Sequence, residues 1–113
     1  MRMSKADKDL VWLHGTIKSP PFSKEARIEA GVLLRKLQQR AKLSLPHSRA
    51  MPSIGPGCHE LRIQDHDITW RVFYYIDVDA VVLLEITDKS TRKTPKRVLN
   101  RCKARLAGYK AIQ

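Results

Sequence analysis

Residues 58 to 87, CHELRIQDHDITWRVFYYIDVDAVVLLEIT, constrain the fold more than any other stretch of the chain. They read as three short strands joined by two tight turns. In the first, Leu61 and Ile63 alternate with Glu60 and Arg62, the period of two that a half-buried strand requires. Asp65-His66-Asp67 makes the first turn. The second strand puts Ile68, Trp70, Val72, Tyr74 and Ile76 on one face, and Thr69, Arg71, Phe73 and Tyr75 on the other. Asp77-Val78-Asp79 turns the chain again. The third strand, Ala80 to Thr87, is almost continuously apolar, the mark of a central strand covered on both faces for part of its length. Connections this short make an antiparallel meander. Arg62 and Arg71 stand inside these strands, where an arginine must be solvated, paired, or used on an anion. For Arg71, an ion pair with Glu60 or Glu85 and use on an anion are both open.

The flanks supply helices. Ser23 is an N-cap candidate, with Glu25 in the first turn where the dipole favours an anion. Ala26, Ala30, Leu33, Leu34, Leu37 and Ala41 then recur at helical spacing and make one apolar face. Thr94-Pro95 opens a last helix, read as a hydroxyl cap followed by proline at the first helical position. Its stripe is Val98, Leu99, Cys102, Leu106 and Tyr109. Upstream, Leu10 to Leu13 reads as a strand closed by Gly15, and Pro20-Pro21 as an extended loop. Residues 42 to 57 form a long connection with three prolines, carrying His47 and Arg49. The length of 113 residues suits a single domain over 1–113.

Charge is concentrated at one end. Residues 89 to 113 carry nine Lys or Arg and no acid, whereas residues 1 to 88 carry thirteen basic and eleven acidic residues. Such a field favours a polyanion or an acidic partner, against the plainer alternative of a solvated helix face. No apolar run reaches the ~20 residues that cross a bilayer, and the N-terminus has no apolar signal core, so a cytoplasmic protein is expected. Cys58 and Cys102 are expected to be free thiols.

The chemistry these residues support is narrow. His14, His47, His59 and His66 lack ligand-pair spacing, which weighs against a metal site. There is no glycine-rich phosphate loop, and no base or oxyanion site announces itself for Cys58; no cofactor is expected. What remains is a cationic and aromatic surface: Arg62, Arg71, Phe73, Tyr75, Lys89, Arg92 and Lys93. Arginine holds phosphate through two prongs, and an aromatic ring stacks on an unpaired base. A surface like this suits RNA, for binding alone or for cleavage by the ribose 2′-OH.

The segments LPHSRAMP (45–52), ELRI (60–63), WRVFYYID (70–77), VVLLEI (81–86) and the K-x-T-x-K-T-P stretch from Lys89 to Pro95 resemble the RelE/ParE toxin superfamily, and within it the HigB-like, phage-associated branch of type II toxin–antitoxin systems. The resemblance runs from about residue 8 to residue 110. It implies a small α+β fold, a curved antiparallel sheet with helices packed on one face. It implies a toxin that enters the ribosome and cuts mRNA there, and a cognate helix-turn-helix antitoxin. The strand arginine of the family's Y-R-L-V-Y type motif falls on Arg71, implying a phosphate clamp. Arg62, Lys89 and Lys93 would be supporting cations, Tyr75 a base-stacking group, and Lys96, Arg97 and Arg101 a grip on ribosomal RNA. The pattern departs at three positions: Ser90 stands for a second cation, Thr87 for an aromatic residue, and Glu60 for a lysine of some RelE members. The alternatives are a ParE-type inhibitor of DNA gyrase that cuts no RNA, and a catalytically degenerate RNA-binding relative.

Overall fold

The computed structural model describes residues 6–13, 22–88 and 93–112. Five strands and two helices follow in the order β1 (Asp9–Trp12), α1 (Lys24–Gln38), β2 (Ser48–Ala50), β3 (Cys58–Asp65), β4 (Ile68–Ile76), β5 (Ala80–Asp88) and α2 (Lys96–Ala111). They make one α+β sheet structure with strand order β1-β5-β4-β3-β2. The meander β3-β4-β5 is antiparallel as its turns dictate. The sheet as a whole is not: β1 lies parallel to β5, Leu10 opposite Val81. An all-antiparallel sheet is therefore corrected to a mixed one.

The helices also depart from expectation, packing on opposite faces rather than on one. The reason lies in β5. Val81 and Leu83 join a core with Ala26, Ala30, Leu33 and Leu37 of α1. Val82 and Leu84, of the other parity, join a second core with Val98, Cys102 and Leu106 of α2. A strand apolar at both parities needs a layer on each side. Between Phe73 and Tyr74 the β4–β5 register shifts, so that Phe73 faces Glu85 while Tyr74 faces Leu83, a bulge that leaves Leu84 unmatched.

Local signals set the ends of α1. The Ser23 hydroxyl accepts from the Ala26 N–H at 3.1 Å, as its cap position requires. Asp65, the last residue of β3, accepts from the Ser23 N–H and from Trp70 Nε1, both at 2.9 Å. It thereby ties the helix start to the sheet. At the other end, Arg40 takes a left-handed φ of 70°. Its N–H bonds to Leu37 O and the Ala41 N–H to Lys36 O, both at 3.0 Å, the paired bonds of a Schellman stop. Ala41 lies beyond the helix and is exposed, so the apolar stripe ends at Leu37.

Thr94 does not cap α2. The N-cap position falls on Pro95, with no side-chain cap bond. The Thr94 hydroxyl instead accepts from Arg71 at 2.6 Å.

Candidate nucleic-acid interface

The α2 side of the sheet carries the charged residues in two cross-strand rows. Register fixes both. Arg49 of β2 faces Glu60 of β3, which faces Phe73 of β4, which faces Glu85 of β5. One step along, Arg62 faces Arg71, which faces Thr87. Like charges directly opposed on one face repel, so the Arg62–Arg71 pair needs an anion between them. Glu60 supplies it. Its Oε1 accepts from Arg49 Nε and Arg62 Nε, each at 3.0 Å, and its Oε2 accepts from Arg71 Nε. Three guanidinium groups share one carboxylate, a local balance of two positive charges.

Burial separates the three arginines. The Glu60 side chain is 0% exposed and that of Arg71 1%, while those of Arg62 and Arg49 are 30% and 41% exposed. Arg71, expected to clamp phosphate, instead sits beneath the surface. It is held by Glu60 and Thr94, with its guanidinium carbon 5.4 Å from the centre of the Phe73 ring. Phe73 is itself fully buried; stacking on a base needs an exposed ring face, and in this arrangement Phe73 offers none. Burial alone would raise the Glu60 carboxyl's pKa, but bonds and charge from Arg71 and then Arg62 outweigh it and hold the group below its ordinary value.

Glu85 anchors the helix. It is buried and accepts from Arg101 Nη1 and from Arg105 Nη1, the latter at 3.1 Å; Arg105 Nη1 also donates to Leu84 O at 2.6 Å. Arg101 is thus a docking residue of α2 whose side chain still reaches the surface. Lys96 and Arg97 are exposed in the first turn of α2, which contains no acid. Lys93 is exposed just before it. Lys89 and Arg92 lie outside the described residues, as do Ser90 and the Pro20-Pro21 loop.

Tyr75 is not brought to the arginines. Four residues along β4 from Arg71, it stands ~13 Å away at the usual strand rise. It is half-buried there, with Tyr109 edge-on at 6.4 Å and Lys110 Nζ 4.9 Å from its ring centre. Gly57 packs on it at φ 77°, where an added Cβ would meet the ring at 3.1 Å.

The residues that sequence reasoning left out of the site are Arg49, Thr94 and His47. Arg49 and His47 were visible as a basic pair within a proline-rich connection. Nothing in the sequence says that Arg49 would pair across to Glu60, or that Thr94 would turn to Arg71. Among the described residues no group of three or more His, Cys, Asp or Glu side chains converges to hold a metal. Both cysteines are buried and free. Burial raises the Cys58 thiol, and burial with the Glu85 charge pushes Cys102 up to about 12, so neither is an activated nucleophile. No helix among the described residues is long and apolar enough to cross a membrane.

This meander, with its paired arginines and basic closing helix, matches the family model "Phage derived protein Gp49-like (DUF891)" over residues 21–107. The chain belongs to the Gp49-like family. Gp49-like proteins fall within the RelE/HigB-like toxin superfamily and are commonly related to toxin–antitoxin systems, which suggests an antitoxin partner. No curated protein matches the chain significantly. The matched span runs from the residue before Phe22 to the residue after Leu106, so it includes Glu60, its three arginines and most of α2.

Proposed function

We propose that this Gp49-like protein is the toxin of a type II toxin–antitoxin pair, of the HigB-like kind, and that it blocks translation by cutting mRNA on the ribosome. The supporting observation is the Glu60 cluster: Arg49 and Arg62 are fixed at one carboxylate yet partly exposed. Guanidinium groups fixed in this way need little reordering when they meet a phosphate. Arg62 then takes the phosphate, with Arg49 beside it, and Arg71 acts from beneath by fixing Glu60. Lys93, with Lys89 and Arg92 from the adjoining segment, supplies further cations for charge building on the phosphate. In the reaction the 2′-oxygen loses its proton and attacks phosphorus, the bond to the 5′-oxygen breaks, and that oxygen takes a proton. Lys96, Arg97 and the exposed part of Arg101 face ribosomal RNA, and Tyr75 stacks on a base distant from the break. The partners are mRNA, the ribosome and a helix-turn-helix antitoxin.

One observation favours a second reading, an RNA-binding relative that cuts nothing: the arginine at the family's clamp position is buried. Inducing wild type and Arg62→Ala in bacteria and mapping mRNA 5′ ends on ribosomes separates the two. New ends with wild type that vanish with Arg62→Ala support the nuclease. Growth arrest without new ends supports the binder. Gyrase inhibition with intact translation overturns both in favour of a ParE-type toxin.

A further inference from the structure

Beside the arginine cluster lies an open cleft of 320 Å³ lined by Glu29, Pro46, His47, Arg62, Gln64 and Thr69. We infer that this cleft is a subsite for a single nucleotide of unpaired RNA, with Arg62 receiving its phosphate and His47 stacking on its base. The inference rests on the reading of the arginine face as an RNA surface and adds a place for one nucleotide next to it.

Three features carry it. The first is size: the volume sits at the lower end of the roughly 300–1,000 Å³ of small-ligand sites, room for one nucleotide and too little for a duplex. The second is polarity. Arg62 lines the cleft as a cation and Glu29 of α1 lines it as a carboxylate. A phosphate is drawn to the first and repelled by the second. The N–H donors of a base or the hydroxyls of a ribose suit the second. A nucleotide therefore enters in one orientation. The third is rigidity. The Arg62 N–H donates to His47 O at 2.8 Å, which fixes the His47 backbone next to the arginine where β2 pairing ends and leaves its exposed ring at the cleft. Thr69 Oγ1 donates to Gln64 Oε1 at 2.9 Å, and Gln64 Nε2 donates to His66 O at 2.9 Å. These two surface bonds tie the Gln64 side chain to Thr69 and to the His66 backbone along the lining. Arg62 is held in turn by Glu60 at 3.0 Å. A pre-formed lining binds at a smaller cost in ordering than a loose one. Histidine and proline present flat or apolar surfaces on which an unpaired base rests.

The test is an NMR titration of the full chain with each of the four ribonucleoside 5′-monophosphates, and with inorganic phosphate alone. The expected result is that at least one nucleotide shifts the His47 ring and Gln64 side-chain signals, and that phosphate alone binds more weakly. Arg62→Gln should weaken nucleotide binding about tenfold, the scale of one charge-assisted hydrogen bond. His47→Ala should weaken it several-fold, and His47→Phe should restore it, since stacking needs a ring and not a proton. Equal binding of phosphate and nucleotides, or shifts confined to Tyr75 and Lys110, overturns the subsite. mRNA cleavage by wild type and His47→Ala is scored in parallel. Absence of cleavage by wild type sinks the nuclease reading and leaves the titration to decide the cleft. Cleavage that is unchanged in His47→Ala, together with no nucleotide binding, sinks the subsite alone.

Discussion

Arg62 and Arg71 are direct cross-strand partners on the α2 face of the sheet, and each donates its Nε to Glu60. Two cations opposed on one face and bridged by a buried anion make a unit in which no member is independent of the others.

Removing the carboxylate should therefore cost more than removing an exposed arginine. Glu60→Ala leaves the buried Arg71 guanidinium without its charge partner, a change that typically destabilises by about 3–5 kcal/mol. Arg71→Ala leaves Glu60 its bonds from Arg49 and Arg62 but empties a fully buried site, so it should also destabilise, by less than Glu60→Ala. Arg49→Ala removes a partly exposed partner and should cost about 1 kcal/mol or less. Urea denaturation of the three variants checks the order. A loss of toxicity in Arg71→Ala thus reports folding before it reports chemistry, which is why Arg62 is the better probe of function. A Glu60→Ala protein as stable as wild type would contradict the bridge.

Acid should loosen the junction between the start of α1 and the end of β3. The nearby Ser23 hydroxyl, then the hydrogen bonds from the Ser23 N–H and Trp70 Nε1, hold the Asp65 carboxyl down to about 2, from an ordinary 3.8. A carboxyl depressed on folding contributes stability that is complete above its unfolded pKa and is lost as pH falls through the folded one. The decline belongs between about pH 4 and pH 2. Thermal melts across that range should show a steeper fall for wild type than for Asp65→Asn. The variant should also start lower at neutral pH.

Arg40 combines a backbone that disfavours a side chain with a side chain that is in use. Its φ of 70° is the left-handed region usually given to glycine. Its guanidinium donates to Ala6 O at 3.1 and 3.3 Å, to Val78 O at 2.9 Å and to Asp79 at 3.1 Å, joining the segment before β1 to the β4–β5 turn. Arg40→Ala loses the clamp and keeps the strain. Arg40→Gly loses the clamp and relieves the strain, so it should be the more stable of the two by about 1 kcal/mol. Paired denaturation curves measure the difference.

How far the sequence could be read depended on the range of the interaction involved. The alternation in β3 and β4 assigned Phe73 and Arg71 to one face and Trp70 and Val72 to the other, and the structure keeps that division. The Ser23 cap and the α2 stripe were local too, and were legible. The β1–β5 pairing joins residues some seventy positions apart, and no local pattern encodes its direction. The opposite placement of the helices was implied by the double parity of Val81 to Leu84, but the resemblance had suggested one face. Glu60 read as a departure that thinned the cationic set. Only the register, which sets Arg49 opposite it and Arg71 diagonal to it, makes it the centre. Thr94 had two uses open to a hydroxyl before a helix, and the choice depended on a residue two strands away.

The exposed cations of α2 offer a test that does not depend on catalysis. Each phosphate contact with a single strand contributes about 0.7 to the slope of log affinity against log salt. If Lys96 and Arg97 each meet one phosphate, the double variant Lys96→Gln/Arg97→Gln should flatten the slope by about 1.4. Neither residue has an acid in its own turn to share its charge with. The double variant Lys24→Gln/Lys36→Gln is the control, because it removes the same charge from two exposed residues of α1, across the sheet from α2. Fluorescence anisotropy with a short single-stranded RNA, repeated over a salt series, gives the slopes. Equal flattening by both variants would mean that RNA responds to net charge alone, and the interface would lose its claim on α2.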